Sequence, residues 1–293
     1  MNILGIGTAQ FGLKYGLNNE KKISLSEIRK IIEYTVNQKA FGYLDTATAY
    51  GNSENIIGNV LKKNHSFKII TKSDFIKEDI INTKVIEKFK KNFFLSLKKL
   101  KQKKIYSVLI HNSADLFKKN SELLYRELKK LKKKNLIQKI GVSVYNKKEI
   151  DMILSYYDFD IFQLPCNILD QRLIHNNTLE KLFSKKIEMH ARSVFLQGLL
   201  LMEKKKLPIY FKEINKKIIK LNDQLVKYDI TPLQAALSFV ANLNKFKTLI
   251  VGFNNFTHIK EIANCEFLKL PFKTDDLFCN DEKFIDPRFW KNL

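Results

Sequence analysis

Short apolar, β-branched runs alternate along this chain with longer segments in which apolar residues recur every three or four positions among lysines. The first pattern marks a buried strand and the second an amphipathic helix. Strands are predicted over residues 3–8, 41–45, 67–72, 106–111, 137–143, 161–163, 187–191 and 248–251. Helices are predicted over 26–38, 53–63, 83–101, 121–134, 147–156, 179–184, 232–242 and 257–264. Ser24 and Ser26 suit N-caps, and Pro232 after Thr231 suits a first helical turn. Strand and helix in strict alternation mean βα units on a parallel sheet, and eight strands predict an α/β fold, the (β/α)8 TIM barrel.

One stretch breaks the rhythm. Residues 193–230 are far more than a short βα loop needs, and 209–228 within them read as an extra amphipathic helix. A long helical insertion between the seventh strand and the next barrel helix falls on the face where barrels carry their sites. An open doubly wound sheet is the competing architecture. It wants G-x-G-x-x-G entering a helix after the first strand; here Gly5, Gly7 and Gly12 have another spacing, and 11–19 read as loop. No Pro/Gly/Ser-rich linker divides the 293 residues, so 1–293 reads as a single domain.

Composition removes several classes. A net charge of +22 invites a nucleic-acid partner, yet only five of the 52 basic residues are Arg. Arg supplies the bidentate phosphate and guanine contacts of dedicated readers, whereas lysines spread over nearly every predicted helix mark solvated faces. No nucleic-acid partner is expected, although the charge favours anionic substrates. Three scattered cysteines without C-x-x-C suit a reducing compartment. No stretch approaches a membrane span, and the first residues carry no basic n-region with a long apolar core. A soluble cytoplasmic protein with no membrane partner is the expectation.

The chemistry lies at the strand ends. Three apolar runs end on Asp45, Lys72 and His111, and Tyr50 follows the first by five positions. In a parallel barrel all four side chains converge on one rim. Tyrosine is a weak acid near neutrality, with an ordinary pKa of about 10. An adjacent ammonium favours the phenolate, a carboxylate holds the ammonium, and an imidazole orients a carbonyl oxygen. Each residue alone has a bland reading as a cap, a packing ring, a surface lysine or a core histidine; the joint placement favours one proton-transfer site. No H-x-H or H-E-x-x-H is present, so no metal is expected, and a metal-dependent barrel hydrolase stays a weaker alternative.

The run Asp45-Thr46-Ala47-Thr48-Ala49-Tyr50-Gly51-Asn52-Ser53-Glu54 resembles the D-T-A-x-x-Y-G-x-S-E signature of aldo-keto reductases, in their prokaryotic branch. The likeness continues through Thr71-Lys72, Ile110-His111, Gly141-Val142-Ser143, Phe162-Gln163 and Ala191-Arg192-Ser193-Val194-Phe195-Leu196-Gln197-Gly198. It implies a nicotinamide cofactor lying across the barrel face and hydride transfer to an aldehyde or ketone. By this resemblance Tyr50 is the general acid, Lys72 and Asp45 tune it, and His111 orients the carbonyl. Cofactor contacts are implied at Gly7, Thr8, Asp45, Ser143, Gln163, Arg192, Ser193, Leu196, Gly198, Gly252, Asn254, Asn255 and His258. NADP(H) is expected ahead of NAD(H), with Lys260 or another lysine at the 2′-phosphate. Val144-Tyr145 follow Ser143 where many members carry Asn, and Arg192 stands where many stack a Tyr. The A-R-S-V-F-L-Q-G form suggests an anionic or sugar-like carbonyl substrate, sugar or nucleotide-sugar metabolism, and a monomer. A catalytically weak nicotinamide-binding or regulatory protein on the same fold is the alternative.

Overall fold

The computed structural model describes residues 3–17, 22–203 and 206–290. Eight parallel strands close into a barrel in chain order: β1 Leu4–Gly7, β2 Phe41–Asp45, β3 Lys68–Lys72, β4 Ile105–Ile110, β5 Ile137–Ser143, β6 Ile161–Pro165, β7 Glu188–Arg192 and β8 Thr248–Val251. β1 pairs with both β2 and β8, which removes every sheet edge. The eight strands therefore fall where the periodicity predicts them, and the open-sheet alternative is excluded.

The helices are α1 Ala9–Gly12, α2 Leu25–Val36, α3 Ser53–Val60, α4 Thr83–Leu100, α5 Glu122–Lys133, α6 Lys147–Tyr156, α7 Arg172–His175, α8 Thr178–Ser184, α9 Asn215–Lys227, α10 Pro232–Asn242, α11 Phe256–Ala263 and α12 Glu282–Ile285. Helix α4 shows how they attach. Val85, Phe89, Phe93, Leu97 and Leu100 lie on one face and are buried, while Lys90, Lys91 and Lys98 face outward. Each such buried side chain contributes about 1.5–3 kcal/mol. Asn82 caps the helix by accepting from the Val85 N–H, and Lys101 closes it in a left-handed conformation.

Three expectations need correction. Helix α2 starts at Leu25, because Ser24 rather than Ser26 accepts from the Glu27 N–H. The loop expected over 11–19 begins as the last two residues of the single turn α1, and its positions 18 and 19 lie outside the described residues. The insertion is not one helix: Ile209–Ile214 winds as 3-10 before α9 takes over at Asn215. Its first turn packs on the C-terminal segment rather than on the barrel. Tyr210 donates to the Lys283 carbonyl (2.9 Å), Trp290 donates to the same oxygen (2.8 Å), and the Phe211 and Trp290 rings meet at 4.9 Å. Arg172 fixes that segment further by bridging Asp170 (2.8 Å) and Glu282 (2.6 Å).

The main core lies between strands and helices, and a smaller cluster of Tyr43, Ile70, Tyr106, Leu109 and Ile161 lies within the ring of strands. Toward the strand N-termini that interior turns polar. Glu188 accepts from Tyr106 (2.9 Å), pairs with Lys139 and lies 2.7 Å from His190 Nε2. The opposite end is open and carries the chemistry.

Candidate active site

β2 ends on Asp45, β3 ends on Lys72, and His111 follows β4, so parallel pairing delivers all three to one rim. Tyr50 reaches the same place from the turn between β2 and α3. The rest of the decapeptide builds that turn. The Ser53 hydroxyl donates to the Thr8 carbonyl (3.0 Å), and the Thr8 hydroxyl donates to the Asp45 carbonyl (2.9 Å). Buried Glu54 accepts from Thr71 (2.7 Å) and Ser96 (3.1 Å), tying the turn to β3 and α4. Gly12 faces bare backbone: a Cβ there would sit 1.8 Å from the Tyr50 carbonyl oxygen. Gly51 has φ +58°, and its Cβ would lie 2.8 Å from the Gly12 oxygen. Gly12 is thus the support against which the Tyr50 turn rests.

Lys72 is the hub of the rim. Its ammonium donates to Asp45 Oδ2 at 2.5 Å and to the Thr46 carbonyl at 3.1 Å, and reaches the Tyr50 hydroxyl at 3.5 Å. Gln163 donates to the other Asp45 oxygen at 2.7 Å. The His111 ring meets Tyr50 edge-on at 5.9 Å between centroids, and Phe75 stacks on the same imidazole at 4.7 Å. His111 Nδ1 is buried without a hydrogen-bond partner, a nitrogen left for something the site receives.

Asp45, Tyr50, Lys72 and His111 all line one cavity of about 500 Å³. Burial dominates its electrostatics. It pushes the Tyr50 phenol well above the ordinary tyrosine range; Asp45 adds to this and Arg192 opposes it. Burial also lowers Lys72, with Asp45 pulling the other way. His111 is brought down to about 3 by burial, Lys72 and Arg192, so its imidazole is neutral near pH 7. Burial and Asp45 thus hold the phenol above the lowered value expected beside an ammonium.

Of the residues expected to hold the cofactor, Gly7, Thr8, Asp45, Ser143, Gln163, Arg192, Ser193, Gly198, Gly252, Asn254 and His258 line this cavity. Two expected residues do not. Leu196 is buried in the core, and Asn255 spends its side chain capping α11 through the His258 N–H (2.9 Å). The cavity falls within the roughly 300–1,000 Å³ typical of ligand sites. Its wall holds Ser193 and Gln197 in left-handed conformations, with Leu196 beside them in a third (φ 57°, 53° and 47°). Strained non-glycine backbone of this kind clusters at ligand clamps. The donors Ser143, Gln163 and Arg192 and this loop are chemically suited to hold a nicotinamide nucleotide.

The Aldo/keto reductase family model matches residues 3–278, nearly the whole chain. The chain belongs to the aldo/keto reductase family. Aldo/keto reductases use nicotinamide cofactors and take small carbonyl substrates, so this one is an NAD(P)-dependent oxidoreductase acting on carbonyl and alcohol groups. Solved structures share the fold at low identity. A Pseudomonas aeruginosa protein described as an aldo-keto reductase aligns with a TM-score of 0.64 and 20% identity, covering 89% of this chain and 88% of that one. Aldo-keto reductase AKR11C1 from Bacillus halodurans, in its holo form, aligns with a TM-score of 0.71 and 17% identity, covering 94% and 89%. No curated protein sequence matches the chain. Among the described residues no group of three His, Cys, Asp or Glu side chains is placed to hold a metal ion, and no helix is long and apolar enough to cross a membrane.

Three lining side chains of this aldo/keto reductase escape sequence reasoning. Tyr15 comes from the loop after α1, Tyr145 from the loop after β5, and Arg288 from beyond the barrel. Tyr145 alone carried a signal, standing one residue past the Asn position usual in the family. Arg288 carried none, because its place depends on how the C-terminal segment docks.

Proposed function

We propose that the protein is an NADPH-preferring carbonyl reductase in which Tyr50 donates the proton, Lys72 and Asp45 support it, and His111 orients the substrate oxygen. The observation carrying this reading is the chain of contacts from Gln163 through Asp45 and Lys72 to the Tyr50 hydroxyl, on the wall of the 500 Å³ cavity.

A bound nicotinamide supplies the hydride. Enclosure keeps the Tyr50 phenol protonated near neutrality, so the proton is available when negative charge develops on the carbonyl oxygen. Lys72, 3.5 Å away, then donates a hydrogen bond to the phenolate that remains. Neutral His111 offers one N–H to the same oxygen without competing as an acid. Ser143, Gln163 and Arg192 surround the space for the nicotinamide, and Gly252, Asn254 and His258 the space for its adenosine end. Lys260, on the same helix as His258, is the basic residue proposed to meet a 2′-phosphate and so to favour NADP(H) over NAD(H). The basic surface and Arg192 inside the cavity favour an anionic or sugar-like carbonyl compound, consistent with carbohydrate metabolism. The proposal includes a monomeric cytoplasmic protein, in keeping with three free cysteines.

Tyr50→Phe tests the assignment. Turnover on a carbonyl panel that includes keto sugars is expected to fall by at least a hundredfold, within the range usual for a general acid. NADPH binding, read by fluorescence titration, is expected to persist. Full turnover in the variant overturns the assignment.

A further inference from the structure

The tetrad is electrically incomplete as it stands. Lys72 is paired with Asp45 at 2.5 Å, and Gln163 holds the second carboxylate oxygen in place. A pair that tight presents little net charge to Tyr50. One other cation lies on the cavity wall without a carboxylate in contact among the described residues, and that is Arg192. Its guanidinium donates to the Val144 carbonyl (3.0 Å) and the Ser193 hydroxyl (3.4 Å), both neutral, and lies 4.0 Å from the Tyr145 ring centroid.

Tyr145 is itself backed. The Arg288 guanidinium lies 3.4 Å from the same centroid. Two guanidinium groups that close to one ring cannot share a face, so Tyr145 is held between them. Arg288 is charge-balanced by buried Asp286, whose two oxygens accept from it at 2.5–3.0 Å. The far end of the stack carries no net positive charge, since Arg288 meets Asp286 and also lies 3.9 Å from a Glu149 oxygen, whereas the near end facing the cavity is positive. Cation–aromatic contacts of this kind contribute more once removed from water, and they fix a flat guanidinium in orientation.

We propose that Arg192 is a positioning residue for proton transfer: clamped on Tyr145 by the C-terminal segment, it supplies the net positive charge at Tyr50 that the Lys72–Asp45 pair does not. The inference rests on Tyr50 being the proton donor. The charged or titratable groups facing Tyr50 are Asp45, Lys72, His111, Tyr15, Tyr145 and Arg192, drawn from six different strands or their loops. Arg192 lines the same cavity as Tyr50, Lys72 and His111, and its field lowers all three alike. In carbonyl reduction the hydride joins the carbon and the Tyr50 proton joins the oxygen, leaving a phenolate that solvent reprotonates. Arg192 stabilises that phenolate, and in alcohol oxidation it increases the fraction already ionised.

The pH profile of kcat tests this, with benzyl alcohol and NADP+ for oxidation and 4-nitrobenzaldehyde and NADPH for reduction. In Arg192→Met the alkaline limb of oxidation is expected to move up by about one pH unit, the size of one partly screened charge on the wall of the same cavity. Arg192→Lys, which keeps the charge, is expected to restore most of the wild-type profile. An unmoved limb in Arg192→Met overturns the inference, as does a limb displaced equally in Arg192→Lys. If Arg192→Met fails to fold, Tyr145→Leu reads the same limb: it keeps the guanidinium and removes its clamp, so a smaller alkaline shift supports the inference and none overturns it. Tyr50→Phe run alongside separates the two readings. Full turnover there overturns Tyr50 as donor, whereas an inactive Tyr50→Phe with an unmoved Arg192→Met limb overturns only the role of Arg192.

Discussion

Gln163 reaches across the barrel mouth from β6 and donates to Asp45 on β2 at 2.7 Å. The two strands are opposite one another in the eight-strand ring, so this bond spans the site rather than running along one wall. The carboxylate that holds Lys72 is gripped from both sides, with little freedom left to rotate. Gln163→Leu leaves one oxygen of a buried carboxylate without a donor, a loss of about 1–3 kcal/mol. Denaturant unfolding is expected to show it as a lower midpoint with unchanged slope.

Lys72→Met is expected to cost more. Lysine and aspartate are both nearly inaccessible, with side chains 2% and 4% exposed. Removing one partner strands the other's charge in a dry site, which typically costs about 3–5 kcal/mol. Calorimetry of the purified variant measures it. A melting temperature equal to that of the native protein would show that solvent reaches the pair far more than its burial implies.

Gly12→Ala is expected to damage the site from 38 positions away in sequence. The added Cβ would lie 1.8 Å from the Tyr50 carbonyl oxygen, and the obstructing atom is backbone, so the turn itself has to move. Overpacking of this sort costs about 1–3 kcal/mol. Displacement of the phenol by an ångström is expected to reduce turnover by about a hundredfold. Activity assays and thermal melts on the same sample separate the two effects.

The charged layer at the closed end of the barrel makes stability depend on pH. Burial raises the Glu188 carboxyl, but hydrogen bonds from His190 and Lys139 outweigh it and bring the group down to about 2 from an ordinary 4.5. A folded-state value below the unfolded one means that the stabilisation is complete above about pH 4.5 and is lost as pH falls toward 2. Glu188→Gln is expected to flatten that acid limb in urea titrations between pH 5 and pH 2. It removes on the order of 2 kcal/mol at neutral pH.

Much of this was legible beforehand because it is encoded locally. Runs such as 41–45 and 248–251 announce strands by composition, and Asp45, Lys72 and His111 mark their own positions by ending apolar runs. The decapeptide named Tyr50 but not the division of labour behind it: Ser53 and Glu54 are structural anchors, and Gly12, dismissed for its spacing, supports the turn. Distant pairings were not legible. Nothing near Gln163 says that it faces Asp45, and nothing near Arg288 says that it covers Tyr145. Leu196 and Asn255 stand at family-like positions but outside the cavity wall, their side chains taken up by core packing and a helix cap.

The ring of strands is complete at Val251, and by then Asp45, Tyr50, Lys72, His111 and Arg192 can all be in register. Arg288 and Asp286 lie beyond the barrel, past α11, a long irregular segment and α12. The acid and its lysine thus belong to the barrel itself, whereas the clamp on Arg192 is supplied by chain beyond it. Loss of the C-terminal contacts alone would leave the reactive groups on their strands while removing the electrical environment in which they act.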